Sequence, residues 1–443
     1  MELADLCVRG AHVFYRGHLL EGCICTSGGL ISYVGKEAHA PRAEQLLDAR
    51  GLLALPGPID AHVHLRDEGL AHKEDFFTGT CAAVAGGITT VLDMPNTVPP
   101  VDSARRLAER AKKARRAIVA NVGFYALFPR DLSELPALAE AGAVGIKVFM
   151  HKPKTALDIR EEDTLTLAVR EASRLGLRVA FHAEDPRVIE EAASTSRAGG
   201  DPVAAFLSSH PPEAEITAVR ELARLFAGLK LYICHVSVPE ALEAAKAAGF
   251  YVEATPHHLF ASEEAYARLG TLALVDPPLR PREMAARLRE ALCSGLVDVV
   301  ASDHAPHALE EKLGPEPPPG FPGLETLLPL LLNEVAAKRL PLAELVRLVC
   351  ENPASIFGLR RGRLEVGWPA DLVLVDLKAE VQVDPRAFFS KARYSPFEGL
   401  RLRGRPAMTI VNGRLAYADG EVVAEKGIGM VMRPEGAGRP GKP

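Results

Sequence analysis

Two histidines, His62 and His64, lie two positions apart in an apolar stretch that begins at Ile59. In an extended strand, side chains two positions apart face the same side, so both imidazoles would be presented together. Imidazole nitrogens are common ligands of zinc and related divalent ions. The pair taken alone is weak evidence for a metal, because polar residues are common at the ends of barrel strands.

Further ionisable residues occupy similar places in other apolar runs. Lys147 lies within one such run, and His182, His235 and Asp303 each follow another. An ionisable group in an apolar strand costs free energy unless it is paired or bound to a metal. Four histidines, one aspartate and one lysine on five strands therefore predict a metal centre.

Lys147 is the unusual member of this ligand set, because a protonated lysine repels a cation. A neutral lysine amine can add carbon dioxide and become a carbamate, an anionic group whose two oxygens can bridge two divalent ions. Two such metals would lower the pKa of a bridging water and provide hydroxide at neutral pH. The alternative for Lys147 is an ion pair with a neighbouring carboxylate, but its apolar surroundings favour the carbamate.

Short β-prone runs alternate with longer helical patterns between about residues 56 and 340. The sequence predicts strands at 58–64, 88–94, 117–127, 144–150, 178–183, 229–236, 250–255 and 297–303. Helical patterns lie at 103–116, 161–175, 213–227, 239–248 and 282–294. Eight alternations favour an α/β fold of the parallel (β/α)8, or TIM-type, class, in which active sites form at the carboxyl ends of the strands.

Both chain ends contain further short strand patterns, which predict a small β-sandwich domain formed from both ends of the chain. We expect residues 1–55 and 361–432 to form this domain and residues 56–360 to form the catalytic barrel. The last stretch, 433–443, is rich in Gly, Pro, Arg and Lys, and we expect it to be a disordered tail.

The overall composition excludes several function classes. The 443 residues include 52 Lys and Arg against 57 Asp and Glu, a net charge of -5 that disfavours general nucleic-acid binding. An apolar run of about 18 residues, as a membrane span requires, is absent, and the first residues lack the basic region of a signal peptide. The seven cysteines do not have zinc-knuckle spacing, so we expect reduced thiols and a cytoplasmic protein.

The helical pattern at 103–116 is strongly basic. Its seven Arg and Lys residues include Arg105, Arg106 and Arg110. Because the whole chain is acidic, a solvated outer helix face is favoured over a site for a polyanion.

Several motifs resemble those of dihydroorotases in the amidohydrolase superfamily, and the resemblance extends from residue 56 to about residue 423. They are DAHVHLR at 60–66, DMPNT at 93–97, PHHL at 256–259, ASDHAPH at 301–307 with Lys312 after it, PGFPGLE at 319–325 and NPA at 352–354. The resemblance implies zinc-dependent, reversible hydrolysis of (S)-dihydroorotate to N-carbamoyl-L-aspartate, a step of de novo pyrimidine (UMP) synthesis. The fold it implies is the metal-dependent barrel with a β-sandwich.

The resemblance also implies a role for each site residue. Two zinc ions per chain would be bridged by carboxylated Lys147 and a hydroxide, with His62 and His64 on the more buried ion and His182 and His235 on the other. Asp303 would contact the buried ion and the attacking water, and would act as the catalytic acid and base. The substrate-binding residues by this resemblance are Arg66, Asn96, His307, Pro322 and Gly323. Some relatives place an aspartate near the position of Lys147.

Two positions depart from the family pattern. Glu68 stands where the family usually has proline, and Asp276 stands where it commonly has asparagine. A negative charge at Asp276 would oppose an anionic substrate if the side chain faces it. His257 and His258 are interpreted as structural residues, because the ligand set is already complete.

Two alternative functions stay open. Another cyclic amidase, such as an allantoinase or a dihydropyrimidinase (hydantoinase), would use the same metal centre. Allantoinases tend to have asparagine at the position of Arg66, and dihydropyrimidinases lack the DMPNT motif, so both features favour dihydroorotase. An inactive scaffold paralogue is disfavoured because all six ligand positions are filled. The expected partner is a small-molecule substrate, and either a homo-oligomer or a complex with aspartate carbamoyltransferase is compatible with the resemblance.

Overall fold

The computed structural model describes residues 3–196 and 199–435. Its strands are β1 Ala4–Tyr15, β2 His18–Ser27, β3 Leu30–Gly35, β4 Ala43–Asp48, β5 Leu53–Pro56, β6 Ile59–Val63, β7 Thr90–Asp93, β8 Asn121–Ala126, β9 Gly145–Phe149, β10 Arg178–His182, β11 Tyr232–Ile233, β12 Tyr251–Ala254, β13 Val299–Val300, β14 Leu372–Gln382, β15 Arg401–Val411, β16 Arg414–Ala418 and β17 Glu421–Val422. Its α-helices are α1 Phe76–Ala85, α2 Ala104–Ala114, α3 Leu135–Ala141, α4 Glu162–Arg174, α5 Pro186–Thr195, α6 Pro202–Ser209, α7 Pro212–Leu225, α8 Pro239–Ala247, α9 Pro256–Phe260, α10 Glu264–Leu269, α11 Arg282–Cys293, α12 Leu309–Lys312, α13 Leu324–Ala336, α14 Leu342–Val346 and α15 Asn352–Ile356.

Strands β6 to β13 form a parallel sheet in sequence order, and helices follow them on the outside. The first and last strands meet where Val63 pairs with His304 and the His64 amide donates to the His304 carbonyl at 2.8 Å. The Asp60 carboxylate strengthens this seam by accepting from the Ser302 amide at 3.0 Å. These contacts close the sheet, so the predicted (β/α)8 barrel is confirmed.

Two strands are shorter than their apolar patterns predict. The patterns at 229–236 and 297–303 correspond to the two-residue strands β11 and β13. The backbone takes a positive φ of 36° at His235 and 45° at Asp303. A left-handed residue leaves the β region, so the regular ladder cannot continue through these residues.

The lower interior of the barrel is filled by aromatic side chains. The Phe357 ring packs against Tyr125 and Tyr232, with centroids 5.7 and 5.2 Å apart, and all three side chains are buried. Edge-to-face packing at these distances is favourable beyond simple burial. The interior is therefore a packed core, and the open space lies at the carboxyl ends of the strands.

Strands from both ends of the chain form one mixed sheet beside the barrel. Its order is β17-β16-β15-β14-β5-β1-β2-β3, with β4 paired to β1. Strand β5 pairs with β14 and then leads directly into β6 through Gly57. A Cβ atom on Gly57 would lie 2.2 Å from Thr89 Oγ1, so only glycine fits this junction without rearrangement.

The chain returns to the barrel after β17. The Val122 amide at the start of β8 donates to the Met430 carbonyl, and the Met432 amide donates to the Val122 carbonyl. The backbone is placed as far as Glu435, whose amide donates to the Gly358 carbonyl. The remainder of the predicted tail, residues 436–443, lies outside the described residues.

The seven cysteines are free thiols, and six of them are buried. Cys7 and Cys25 face each other on β1 and β2, with their sulfur atoms 2.8 Å apart. Within the described residues, none of the helices has the length and apolar composition that crossing a lipid bilayer requires.

Candidate metal centre and active site

His62 and His64 converge on Asp303 at the carboxyl end of the barrel. The Nε2 atoms of both rings lie 3.4 Å from Asp303 Oδ1, and all three residues are buried. Two ligand atoms on a tetrahedral zinc ion with bonds of about 2.0–2.2 Å would lie about 3.3–3.6 Å apart. The three side chains therefore fit a single divalent ion bound between them.

The other ring nitrogen of each histidine is fixed by a hydrogen bond. His62 Nδ1 donates to Glu253 Oε1 and His64 Nδ1 donates to Asn96 Oδ1, both at 2.8 Å. A neutral imidazole carries only one N–H group, so these bonds leave the Nε2 lone pairs facing Asp303. Carboxylate and amide partners of this kind orient histidine ligands in metal sites.

His182, His235 and Lys147 lie beside this group. The His235 ring centroid is 4.6 Å from that of His182 and 5.2 Å from that of His62. Lys147 is 1% exposed, and its Nζ donates to the Cys234 thiol at 3.0 Å. Among the described residues, no carboxylate forms an ion pair with Lys147, which disfavours the ion-pair alternative for this lysine.

Burial sets the charge state of the candidate ligands. It lowers the pKa of His62, His64, His182 and His235 well below the usual histidine value, because a charged imidazole would lose its hydration. Neutral imidazole is the form that binds a metal. Burial also raises the pKa of Asp303 to about 6. A cation among these groups would favour the anionic carboxylate.

Three site residues have a left-handed backbone. The φ angles of Arg66, His235 and Asp303 are 54°, 36° and 45°, and each residue lies just beyond a barrel strand. Such angles cost about 1–3 kcal/mol for residues other than glycine, and they persist where the surroundings enforce them. The strained backbone is how these side chains turn towards the barrel axis.

A cavity of about 240 Å³ opens above the candidate ligands. Eight predicted site residues line it: His62, His64, Arg66, Asn96, His182, His235, Asp303 and His307. Lys147, Pro322 and Gly323 are buried and do not line this cavity. The neighbouring segment 318–320 lines the cavity in their place.

Arg66 is held at the cavity wall by neutral partners. Its Nε donates to the Pro306 carbonyl and its Nη2 contacts His307 Nε2, both at 3.2 Å. Among the described residues, no carboxylate pairs with this guanidinium, although Arg66 is only 7% exposed. The arrangement leaves a buried cation facing the cavity.

Most of the basic side chains at 103–116 are exposed, as predicted for a solvated face, but Arg110 of helix α2 is an exception that contributes to the site. Arg110 is fully buried, donates to Asp93 Oδ2 at 2.6 Å and donates to the Arg66 carbonyl at 3.0 Å. Its Nη1 lies 3.3 Å from Glu68 Oε2. The departure at Glu68 is thus explained, because this carboxylate pairs with a buried arginine that supports Arg66.

Sequence reasoning missed Glu253 and Asp60 as supports of the metal centre. Glu253 accepts from His62 Nδ1, the His235 amide and the Tyr232 hydroxyl, each at 2.8 Å. Burial raises the pKa of both carboxyls to about 7. Glu253 was detectable only as a charged residue inside the apolar strand pattern at 250–255.

His257 and His258 lie at the start of α9, away from the candidate ligands. His258 Nδ1 bonds to Thr255 Oγ1 at 2.8 Å and its Nε2 donates to the Pro277 carbonyl at 3.1 Å. The His257 ring packs on Phe321 with centroids 4.9 Å apart. Their contacts are those of packing and capping residues.

Comparison with known proteins places this chain in one family. The model of the amidohydrolase family matches residues 53–416. The dihydroorotase of Methanothermobacter thermautotrophicus is 39% identical over 394 residues, covering 87% of this chain and 89% of that protein. The allantoinase of Solibacter usitatus is 35% identical over 449 residues, covering 98% of each.

A solved structure gives the same result. The L-hydantoinase (dihydropyrimidinase) from Arthrobacter aurescens superposes with a TM-score of 0.91 at 31% identity, covering 97% of this chain and 100% of that one. The chain therefore belongs to the amidohydrolase family, and the family predicted from the motifs is confirmed.

Glu253→Gln should weaken zinc binding about 10–100-fold, the range expected when a partner that orients a histidine ligand is altered. Glutamine keeps the shape but removes the negative charge that polarises His62. The measurement is zinc affinity by competition with a chromophoric chelator.

The matched control is Glu325→Gln. Glu325 is a partly buried glutamate, it accepts from the Phe389 amide at 2.9 Å, and burial raises its pKa to about 8. This variant should retain the zinc affinity of the wild type. Equal affinities for the wild type and Glu253→Gln would contradict the orienting role of Glu253.

Proposed function

We propose that this cyclic amide hydrolase converts dihydroorotate reversibly to N-carbamoyl-L-aspartate. The observation that carries the proposal is the buried guanidinium of Arg66, which faces the cavity beside His64 and Asp303 without a carboxylate partner among the described residues. A buried cation of this kind requires an anionic partner, and arginine matches the planar fork of a carboxylate. Dihydroorotate carries a carboxylate on its ring, whereas dihydrouracil and hydantoin do not.

Asn96 supports the same substrate. Its Oδ1 is engaged by His64 Nδ1 at 2.8 Å, which leaves the amide NH2 group as a donor. Asn96 and Arg66 both line the cavity. Together they provide donors to the two carboxylate oxygens, and charge-assisted hydrogen bonds of this type are worth about 1.5–3 kcal/mol each.

In this proposal His62, His64 and Asp303 would hold one zinc ion, His182 and His235 would hold a second, and Lys147, when carboxylated, would supply an anionic ligand to both. The ligand types suit zinc. When bound, the ions would supply Lewis acidity, which lowers the pKa of coordinated water and polarises the amide carbonyl of the substrate.

Asp303 moves the proton. Its carboxylate is placed next to both histidine Nε2 atoms, so it can accept a proton from the attacking water and pass it to the ring nitrogen as the amide C–N bond breaks. Burial raises the pKa of Asp303 to about 6, and this effect would oppose the lowering that a bound cation would cause. The reverse reaction uses the same carboxyl as the acid that protonates the departing hydroxide.

A second candidate is the hydrolysis of a cyclic amide without a carboxylate, such as hydantoin or allantoin. Asp276 favours it, because this carboxylate also lines the cavity and would repel an anion. His151 Nε2 lies 3.2 Å from Asp276 Oδ2, and Lys152 Nζ lies 3.9 Å from the same oxygen. The ammonium group of Lys152 reduces the repulsion, so the substrate with a carboxylate remains the favoured one.

Arg66→Met should remove most of the preference for dihydroorotate over dihydrouracil, hydantoin and allantoin. Loss of a charge-assisted carboxylate site should lower kcat/KM for dihydroorotate by about two orders of magnitude. The kcat/KM values for the other three amides should change much less. The measurement is kcat/KM on all four substrates. A wild-type enzyme that hydrolyses allantoin or dihydrouracil better than dihydroorotate would establish the second candidate instead.

Lys147→Ala should lose bound zinc, because the proposed bridge between the ions disappears. Added propionate should restore part of the metal and of the activity by supplying a carboxylate in place of the carbamate. Zinc content is measured by elemental mass spectrometry. The exposed Lys230→Ala is the control, and full zinc occupancy in Lys147→Ala without added acid would rule out the bridge.

Asp303→Asn should reduce kcat by two or more orders of magnitude, roughly the contribution of a general acid and base. Asparagine retains the shape but cannot transfer a proton, so KM should change little. The steady-state rate is compared at matched zinc content, because Asp303 is also a proposed ligand. An unchanged kcat at full occupancy would exclude the proton-transfer role.

A further inference from the structure

A second group of potential metal ligands lies next to the candidate metal centre. It consists of His151, Glu184, His210 and Asp276, each of which places one donor atom within 4.8 Å of the others. The residues come from four separate loops, following β9, β10, α6 and α10. His151, Glu184 and His210 are 8%, 0% and 4% exposed. We refer to these four residues as the outer cluster.

Most polar atoms in the outer cluster have no hydrogen-bond partner. Among the described residues, this holds for both ring nitrogens of His151, for His210 Nε2, for Glu184 Oε1 and for Asp276 Oδ1. Buried polar atoms normally have hydrogen-bond partners. A group of buried polar atoms without such partners at one place indicates that they bind a ligand there. Their convergence on one point is therefore a sign of a ligand.

The orientation of His210 indicates a cation. His210 Nδ1 donates to the Phe206 carbonyl at 3.0 Å, so in the neutral ring the lone pair is on Nε2. That nitrogen lies 3.8 Å from Asp276 Oδ1. A lone pair and a carboxylate oxygen repel each other at this distance unless a positive charge lies between them.

The two carboxylates need the same compensation. Glu184 and Asp276 lie in one buried group, and Glu184 Oε2 is already occupied by His182 Nε2 at 2.7 Å. The ion-paired lysine at Asp276 is Lys152, whose side chain is 54% exposed. A divalent ion would neutralise both carboxylates and would use the free lone pairs of both histidines.

We propose that His151, His210, Asp276 and Glu184 form a further divalent-cation site, distinct from the His62, His64 and Asp303 group. Two imidazoles and two carboxylates suit zinc, manganese or iron(II). His182 lies between the two sites, with its ring centroid 4.6 Å from those of both His151 and His235. The site does not depend on which cyclic amide is the substrate.

The site is tested by counting the zinc ions bound to each molecule of the metal-loaded protein. After zinc loading and dialysis, the wild type should retain one more zinc equivalent than His210→Ala and Asp276→Asn. His210 contacts none of the ligands proposed for the catalytic centre, and asparagine keeps the shape of Asp276. Any zinc on Cys7, Cys23 and Cys25 is common to all variants and cancels in the difference.

The matched control is His258→Gln, a buried histidine whose two nitrogens already have partners; its zinc content should equal that of the wild type. Anomalous diffraction from wild-type crystals at the zinc edge provides an independent readout, with a peak expected between His151 and His210. Equal zinc contents in the wild type and His210→Ala, or an anomalous map without a peak there, would overturn the proposal. If Glu184 and Asp276 share a proton in place of a metal ion, the anomalous map will show no peak between His151 and His210.

Discussion

The closure of the barrel is the constraint on which the rest of the site depends. His62 and His64 belong to the first strand region and Asp303 to the last, so they become neighbours only when β6 and β13 meet. The seam is formed by few contacts: the His64 amide on the His304 carbonyl, and the Asp60 carboxylate on the amides of His62 and Ser302. A buried carboxylate that accepts two backbone bonds fixes the relative position of the strands more firmly than apolar packing would.

Buried charges around the centre are held by a layer of partners behind them. Glu253 links His62 to β11 and β12, and Arg110 links Asp93 to the Arg66 backbone. In the metal-free protein, burial raises the pKa of Asp303 to about 6 and that of Asp60 and Glu253 to about 7. These groups therefore favour the folded state below a pH of about 4, and this stability is lost as the pH rises through 6 to 7. A bound cation stabilises the anionic carboxylates and opposes that loss.

The cavity has two walls of different charge. Arg66 and His307 belong to one, and His151 and Asp276 of the outer cluster belong to the other. Relatives whose names are dihydroorotase, allantoinase and L-hydantoinase share the fold over nearly the whole chain. The barrel fold is thus common to proteins named for different reactions, so the fold alone does not identify the substrate.

The sequence by itself determined the alternation of strands and helices, the His62–His64 pair and the family. These are local patterns: the spacing of two residues in a strand, the length of apolar runs, and contiguous motifs. It also located Lys147, His182, His235 and Asp303, because a charge within or after an apolar run is visible without knowing its neighbours.

Only the tertiary structure decided which distant residues meet. Glu253 contacts His62 across 191 positions of sequence, and the outer cluster joins four loops that no local pattern relates. Arg110 was predicted to be solvated together with the rest of its basic helix because the whole chain is acidic, and net charge does not show which single side chain is buried. Its long side chain extends into the core, where Asp93 and the Arg66 carbonyl accept its hydrogen bonds. Pairing between buried charges depends on distances set by the closed barrel, and a linear sequence does not contain those distances.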